Sequence, residues 1–153
     1  MTISVQNLQW KIEKEKDIFR VEIIGDRLYA KNKYLNLRDF KKYEVWRLSH
    51  KLTLEVYDLK KSFPINEKYQ IISQMQRAAY SLPSNFSEGC GRKSDKEFSR
   101  FIQICLGSAH ELEYFFILSK DLNYISEEVS DEMSQKINII KRKLFTLDKR
   151  LKA

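Results

Sequence analysis

The sequence predicts an all-α protein, an up-down-up-down four-helix bundle preceded by a short N-terminal extension. Apolar residues recur at steps of three and four in four long stretches, and short connections separate these stretches. The 153 residues include only 4 Gly and 2 Pro, fewer than tightly turned all-β folds usually contain. A domain of this size buries roughly two thirds of its unfolded surface. We assign residues 1–37 to the extension and residues 38–153 to the bundle.

The extension has the pattern of a β-hairpin. Phe19, Val21 and Ile23 alternate with other residues at period two, Gly25-Asp26 offers a turn, and Arg27–Ala30 could form the returning strand. A two-stranded hairpin by itself is only marginally stable in water. The alternative is therefore a loose arm.

The first helix is predicted over residues 43–62, and Pro64 stops it. Its apolar seam follows a heptad-like spacing: Val45, Ser49, Leu52, Val56, Leu59 and Phe63. The second helix is predicted to begin near Asn66, an N-cap residue, with a seam at Ile71, Met75, Ala78 and Leu82. Because Pro83 lacks an N–H, it is expected to end or kink this helix, and two glycines follow.

The third helix begins with the capping box Ser94–Glu97. Its main seam contains Phe98, Phe101, Ile102, Cys105, Ala109, Leu112 and Phe116. A second stripe lies on another side of the helix: Ile104, Gly107, Glu111, Tyr114 and Leu118. A helix that is apolar on two sides needs cover on both. We predict self-association through this stripe; the alternative is docking of the N-terminal extension.

The fourth helix is predicted to be capped by Ser126. Its seam contains Val129, Met133, Ile137, Ile140, Leu144, Leu147 and Leu151. From Lys136 to Lys152 it contains seven basic residues and one acid, Asp148. Such runs are usually solvated faces, and the alternative is contact with phosphate. The predicted nucleic-acid-binding residues are Lys136, Lys141, Arg142, Lys143, Lys149 and Arg150.

Composition restricts the class of protein and its partners. The net charge is +7, of which residues 1–40 contribute +2 and residues 41–153 contribute +5, so an anionic partner such as RNA is plausible on charge alone. Cys90 and Cys105 form no disulfide framework or zinc motif. No apolar run is long enough for a membrane span, and no signal-peptide core is present. We expect a cytoplasmic protein without membrane contact.

The stretch that runs from the second helix into the following connection contains a polar group of residues that we name the polar joint: Arg77, Asn85, Glu88 and Arg92. The structural interpretation is that Asn85 and Glu88 satisfy backbone groups freed by Pro83 while Arg92 pairs with a carboxylate. The alternative is a ligand or RNA contact at one end of the bundle. Glu111 and Glu113 make a poor acid–base pair, because residues two apart on a helix do not face each other. We expect them to pair with Arg77, Arg92 or Arg100 between helices. The sequence contains no phosphate loop, catalytic triad or metal-ligand spacing, so we predict no enzymatic activity, metal or cofactor.

Four motifs in order carry a resemblance to a known family. Arg38–Trp46, Arg77–Asn85, Ser87–Gly89 and Leu106–Glu113 resemble the four helix bundle proteins, also called 23S rRNA intervening-sequence proteins. The likeness is strong over about residues 38–125 and looser in the last helix. The family's chains commonly begin near Arg38, which makes the first 37 residues either an extension or a misassigned start.

The resemblance implies a ring-like homopentamer, a bacterial source and no established enzymatic activity. It also implies a link to 23S rRNA genes, and a related branch serves as the accessory protein of diversity-generating retroelements, beside a reverse transcriptase. Fold analogy alone does not transfer such a role. The leading hypothesis is a non-enzymatic homo-oligomer that associates with RNA or a ribonucleoprotein through basic surfaces. The alternative is a protein-interaction adaptor that recruits an enzyme such as a reverse transcriptase without binding nucleic acid itself.

Overall fold

The computed structural model describes residues 19–24, 27–32, 38–65, 67 and 70–152. The chain divides into two compact units, residues 1–37 and residues 38–153, and each is described by itself. In the first unit, strand β1 (Phe19–Ile24) pairs antiparallel with strand β2 (Arg27–Asn32). In this register Phe19 is opposite Asn32 and Ile24 is opposite Arg27. The predicted turn residues, Gly25 and Asp26, lie outside the described residues.

The second unit contains four long helices: α1 (Glu44–Leu59), α2 (Ile71–Cys90), α3 (Asp95–Asp121) and α4 (Glu127–Lys152). Short 3-10 turns precede and follow α1, at Phe40–Lys42 and Lys60–Ser62. Each helix packs on the next along the chain, and α4 returns to α1. The predicted all-α four-helix bundle is therefore confirmed.

The core lies along the seams that the apolar spacing predicts. Val56, Met75, Cys105 and Ile137 come one from each helix, and all are fully buried. Aromatic rings fill the end of the bundle where α2 meets α3: the Tyr43 and Phe86 centroids are 5.2 Å apart, and those of Phe86 and Phe98 are 5.5 Å apart. These edge-on arrangements are the favourable ones for aromatic pairs.

The beginning of α2 differs from the prediction. The helix begins at Ile71, after Gln70, rather than near residue 66. Asn66, the predicted cap, lies outside the described residues. The capping box of α3 is confirmed, since the Ser94 hydroxyl accepts from the Glu97 backbone N–H and the Glu97 side chain accepts from the Ser94 N–H. The Ser126 hydroxyl accepts from the Val129 N–H at 3.3 Å and so caps α4 as predicted.

Pro83 does not end α2, which continues through it to Cys90. A proline inside a helix leaves the carbonyl four residues earlier without its donor, and here that carbonyl belongs to Ala79. The hydroxyl of Thr53, on α1, donates to the Ala79 oxygen at 2.9 Å in the buried seam. The prediction that Asn85 and Glu88 would satisfy the freed groups was wrong, because a neighbouring helix supplies the donor.

Close approach between α2 and α3 depends on Gly89. A Cβ atom at this position would lie 2.6 Å from Cβ of Phe101 and 2.9 Å from a ring carbon of Phe98. Arg38 closes the same end of the bundle: it donates to the Arg92 carbonyl at 2.9 Å, pairs with Asp95 and lies 4.8 Å above the Phe98 ring. The turn between α2 and α3 is therefore fixed by packing and by hydrogen bonds.

Candidate nucleic-acid interface

The basic residues of α4 lie outside its buried seam. The seam side chains Ile137, Ile140 and Leu144 point into the core, which places the cations on the flanks and outer face of the helix. Acidic residues occupy the first turn of α4, and Lys149, Arg150 and Lys152 occupy the last. This distribution complements the helix dipole, so part of the charge bias has a structural cause.

Two of the predicted phosphate-binding lysines are engaged by carboxylates of neighbouring helices. Lys136 donates to Glu55 of α1 at 2.7 Å and to Glu132 at 2.6 Å. Burial alone would lower the pKa of Lys136, but these two carboxylates outweigh burial and raise it. Lys141 donates to Glu113 of α3 at 2.6 Å, in a contact where both side chains are largely covered. These charges hold helices together.

A third predicted lysine, Lys143, donates to Glu44 at the start of α1 at 2.7 Å. This contact lowers the pKa of the Glu44 carboxyl, chiefly through the hydrogen bond from Lys143. Lys152, the remaining paired cation of α4, donates to Asp148 at 2.6 Å. Four of the seven basic residues between positions 136 and 152 therefore have carboxylate partners.

The other three cations are Arg142, Lys149 and Arg150. Within the described part of the chain, no carboxylate lies within 4.0 Å of any of them. Arg142 and Arg150 line an open groove of about 410 Å³ between the start of α1 and the end of α4. Lys149 lies above the ring of Phe145, with its ammonium 4.7 Å from the ring centroid. We name Arg142, Lys149 and Arg150 the outer cations.

Asp148, the single acid in this run, belongs to the core. It is 5% exposed and accepts from Ser99 at 2.5 Å and Gln103 at 2.6 Å, both on α3, and from Lys152. Burial by itself would raise the pKa of Asp148, but the hydrogen bonds, with that from Lys152 first, outweigh burial and lower it. This network joins the end of α4 to the beginning of α3.

The four polar-joint residues do not form one site. Because α2 is continuous, Arg77 and Glu88 are eleven residues apart on one helix, or about 16 Å along its axis. Arg77 donates to Glu111 of α3 at 3.3 Å, as predicted. Asn85 donates to the carbonyl and hydroxyl of Ser81, both at 2.8 Å.

Glu88 and Arg92, the last two residues of the polar joint, also contact neighbouring side chains. Arg92 pairs with Glu88, so the prediction that it meets a carboxylate is confirmed, and its guanidinium lies 4.7 Å above the Phe101 ring. The carboxylate Glu113, predicted to meet an arginine, meets Lys141 instead. Each polar-joint side chain therefore has a partner within the chain, although Asn85 and Glu88 do not have the partners that the structural interpretation gave them.

The second stripe of α3 faces outward. Ile104 is 42% exposed and Tyr114 is 57% exposed, while Glu111 and Leu118 are partly covered. A Cβ atom at Gly107 would meet nothing within 4 Å, so no helix of the described chain approaches this glycine. The stripe is thus an exposed apolar surface, interrupted at Gly107, which has no side chain.

The candidate nucleophiles lie in the core. Burial raises the pKa of Cys105 to about 12 and that of Cys90 to about 11, so both thiols are protonated near neutral pH. His50 stacks on Trp46 on α1, and His110 lies on α3.

In the described residues no three His, Cys, Asp or Glu side chains are arranged to hold a metal ion. Among the described helices, none has the length and apolar character that crossing a bilayer requires.

Sequence reasoning missed Phe145. This aromatic side chain is 53% exposed and lines a groove between α3 and α4 together with Arg142. It lies three residues after Arg142 and four before Lys149, so all three fall on one face of a helix. An aromatic residue between cations at these spacings is the signal that would have identified it.

Comparison with known proteins agrees with this architecture. A crystal structure of a protein with unknown function from the S23 ribosomal protein family of Bacteroides thetaiotaomicron matches with a TM-score of 0.64 and 24% sequence identity. The match covers 69% of this chain and 98% of that one, and at this identity it shows a shared fold. No functionally curated protein matches the sequence. The family model for 23S rRNA-intervening sequence proteins matches residues 41–146, more than half of the chain, so this protein belongs to the 23S rRNA-intervening sequence protein family.

Proposed function

We propose that this protein is a non-enzymatic, homo-oligomeric helical bundle that associates with RNA through the outer face of α4. The observation that carries the proposal is the contrast within the basic run. Lys136, Lys141 and Lys143 are neutralised by carboxylates, whereas the outer cations have no such partner in the described part of the chain. The family name adds a link to rRNA. Phosphate is the ligand that suits unpaired, exposed guanidinium and ammonium groups.

Self-association would make a small basic patch effective. Three cations per subunit are few for a nucleic-acid-binding surface, because affinity depends on how many phosphates are contacted together. The exposed stripe of α3, with Ile104 and Tyr114, offers the surface for such an assembly, and Gly107 would permit close helix approach. A closed ring would present several copies of α4 to one strand.

The first experiment measures RNA affinity against salt. The wild-type protein is titrated with a labelled fragment of 23S rRNA between about 50 and 200 mM salt, a range in which phosphate contacts lose much of their affinity. The triple variant Arg142→Gln, Lys149→Gln and Arg150→Gln should bind at least about tenfold more weakly at low salt. Its logarithmic salt slope should be smaller by about 2 for each subunit that contacts the strand, since three contacts to single-stranded RNA contribute about 0.7 each.

A matched variant tests whether position matters beyond total charge. Lys60→Gln, Lys61→Gln and Lys120→Gln remove three charges from other parts of the bundle surface, and Lys60 and Lys61 lie in the 3-10 turn that follows α1. This control should retain most of the wild-type affinity. Equal losses in the two triple variants, or an affinity independent of salt, would contradict the proposal.

The oligomer is tested separately by light scattering. Tyr114→Asp places a charge in the exposed stripe, where an interface would have to bury it, so we expect the assembly to dissociate. Glu127→Lys, at the start of α4, is a control on another surface. A wild-type protein that stays a single subunit at high concentration would refute self-association.

The second candidate function is a protein adaptor. Exposed apolar side chains on α1, Leu54 and Tyr57, favour a protein contact over a phosphate contact at that surface. A partner enzyme such as a reverse transcriptase that stays bound after nuclease treatment would favour the adaptor. A partner released by nuclease would favour RNA association.

A further inference from the structure

The groove between α3 and α4 combines three kinds of chemistry in one open space of about 800 Å³. It contains apolar surface, amide groups and cations. The lining residues that bear on a ligand are Gln135, Asn138, Lys141, Arg142 and Phe145. This volume is in the range of small-molecule sites.

Phe145 supplies a free aromatic surface. The ring is 53% exposed although the neighbouring seam residue Leu144 is fully buried. The Lys149 ammonium lies over one face of the ring, 4.7 Å from the centroid, so the opposite face is the one on which a base would stack. A planar group stacked on Phe145 would lie within reach of that charge. Stacking of bases on aromatic side chains, flanked by cations, is how proteins bind unpaired nucleic-acid strands.

The polar lining suits a base and a phosphate. Gln135 and Asn138 are exposed amides, and each side chain both donates and accepts hydrogen bonds, as base edges do. Of the two cations lining the groove, Lys141 is already bonded to Glu113, whereas Arg142 has no carboxylate partner in the described chain. Arg142 also lines the adjoining groove with Arg150, so the positive surface continues beyond the ring. A single acidic side chain of a protein would engage Arg142 and leave the ring face and the amides unused.

We propose that this groove binds unpaired nucleotides of RNA, with a base stacked on Phe145, its edge facing Asn138 or Gln135, and its phosphates on Arg142 and Lys149. The inference rests on the proposed RNA association and specifies its substrate as single-stranded. In an RNA duplex the bases are stacked on each other, and their faces are closed to a side chain.

The test compares two probes and two aromatic substitutions. The probes are a labelled single strand of about 12 uridines and a blunt duplex of the same length, within the range of single-strand site sizes. Phe145→Leu keeps an apolar side chain but removes the ring. Tyr57→Leu, on α1, is the matched control because Tyr57 is 48% exposed and does not line the groove. Thermal melts of both variants confirm folding.

The wild-type protein should prefer the single strand. Phe145→Leu should weaken single-strand binding by about tenfold, the usual scale of one base stacked on one aromatic ring, and leave duplex binding unchanged. Tyr57→Leu should change neither the single-strand affinity nor the duplex affinity.

Equal affinity for the two probes, or no effect of Phe145→Leu, would overturn this inference while the proposed RNA association stands. If the wild-type protein binds neither probe and no rRNA, both fail. A nuclease-resistant protein partner lost on Phe145→Leu, without RNA binding, would assign the groove to a protein and overturn the inference.

Discussion

The interhelical seams and the outer face of α4 both contain polar and charged side chains, but these side chains have different surroundings. In the seams, Thr53 and Asp148 are buried and their polar atoms are bonded to neighbouring helices. On the outer face, Arg142 and Arg150 are exposed, and no carboxylate of the described chain meets them. Partnered groups hold the fold, whereas unpartnered ones are available to a ligand. Variants in the seams should therefore change stability, and variants on the outer face should change binding.

The largest effect on stability is expected for Asp148→Asn. The amide keeps the size of the side chain but loses the charged carboxylate to which Lys152, Ser99 and Gln103 donate hydrogen bonds. We expect the free energy of unfolding to fall by about 2 kcal/mol at pH 7. RNA affinity should change by less than about twofold, because a buried carboxylate contributes little to the electrostatic potential at the outer face of α4. Urea denaturation and RNA titration give the two values.

The same variant has a pH signature. The pKa of Asp148 in the folded protein lies below its ordinary value of 3.8. Its contribution is therefore present above that value and is lost as the pH falls through the lower, folded-state pKa. The stability difference between wild type and Asp148→Asn should shrink as the pH falls below that ordinary value. Asp131→Asn, an exposed site on α4, is the control, and a difference independent of pH would refute this account.

The next effect is expected for Thr53→Val, which keeps the shape and removes the hydroxyl. The Ala79 carbonyl would then be buried without a donor, and the expected cost is about 1.5 kcal/mol. In a Pro83→Ala background, residue 83 regains an N–H that can donate to the same carbonyl. Thr53→Val should then cost about 1 kcal/mol less, as a double-mutant cycle would show. Strictly additive effects would mean that the two residues do not share this carbonyl.

A smaller effect is expected when the partnered lysines are neutralised. Lys136→Gln with Lys143→Gln removes two charges that Glu55 and Glu44 already balance. We expect RNA affinity to fall by less than about threefold at physiological salt, where charges more than about 8 Å apart are screened. Stability should fall by less than about 1 kcal/mol in total, as is usual for ion pairs near the surface. A loss of affinity as large as that of the outer-cation triple variant would remove the distinction between the two sets.

The smallest effect is expected for Glu44→Gln, and it has the opposite sign. Removing this carboxylate frees Lys143, which lines the same groove as Arg142 and Arg150. RNA affinity should rise by about twofold, with a steeper salt dependence, because one more cation becomes available to phosphate. The control is Glu127→Gln, whose position on α4 is about 24 Å from Lys143 along the helix. An equal rise in the control would indicate a general effect of net charge.

Spacing predicted the helices and seams because the step of three and four residues is a local property that packing reinforces. Ser94 and Ser126 were likewise recognisable as caps from neighbouring residues. The continuation of α2 past Pro83 was not predicted, because the donor to the Ala79 carbonyl lies on α1, thirty residues before the proline. A single sequence does not show which hydroxyl will face which carbonyl.

The candidate interface was predictable only in outline. The basic run is visible in the sequence, but the carboxylates that neutralise half of the six proposed residues come from α1 and α3. Net charge along a segment does not reveal these partners, because pairing is set by tertiary contact. The polar joint was overinterpreted for a related reason: residues close in sequence are spread along the axis when the helix does not break.

The hydroxyl of Thr53 constrains the order in which mutations could accumulate in this protein. With proline at position 83 and no donor on α1, the carbonyl of Ala79 would be buried without a hydrogen bond. Threonine at position 53 has no such cost beside a helix that lacks the proline. Acquiring the threonine before the proline is therefore the order that avoids this cost. While proline is present, the threonine is therefore costly to replace, whereas the proline can be replaced without leaving this carbonyl unsatisfied.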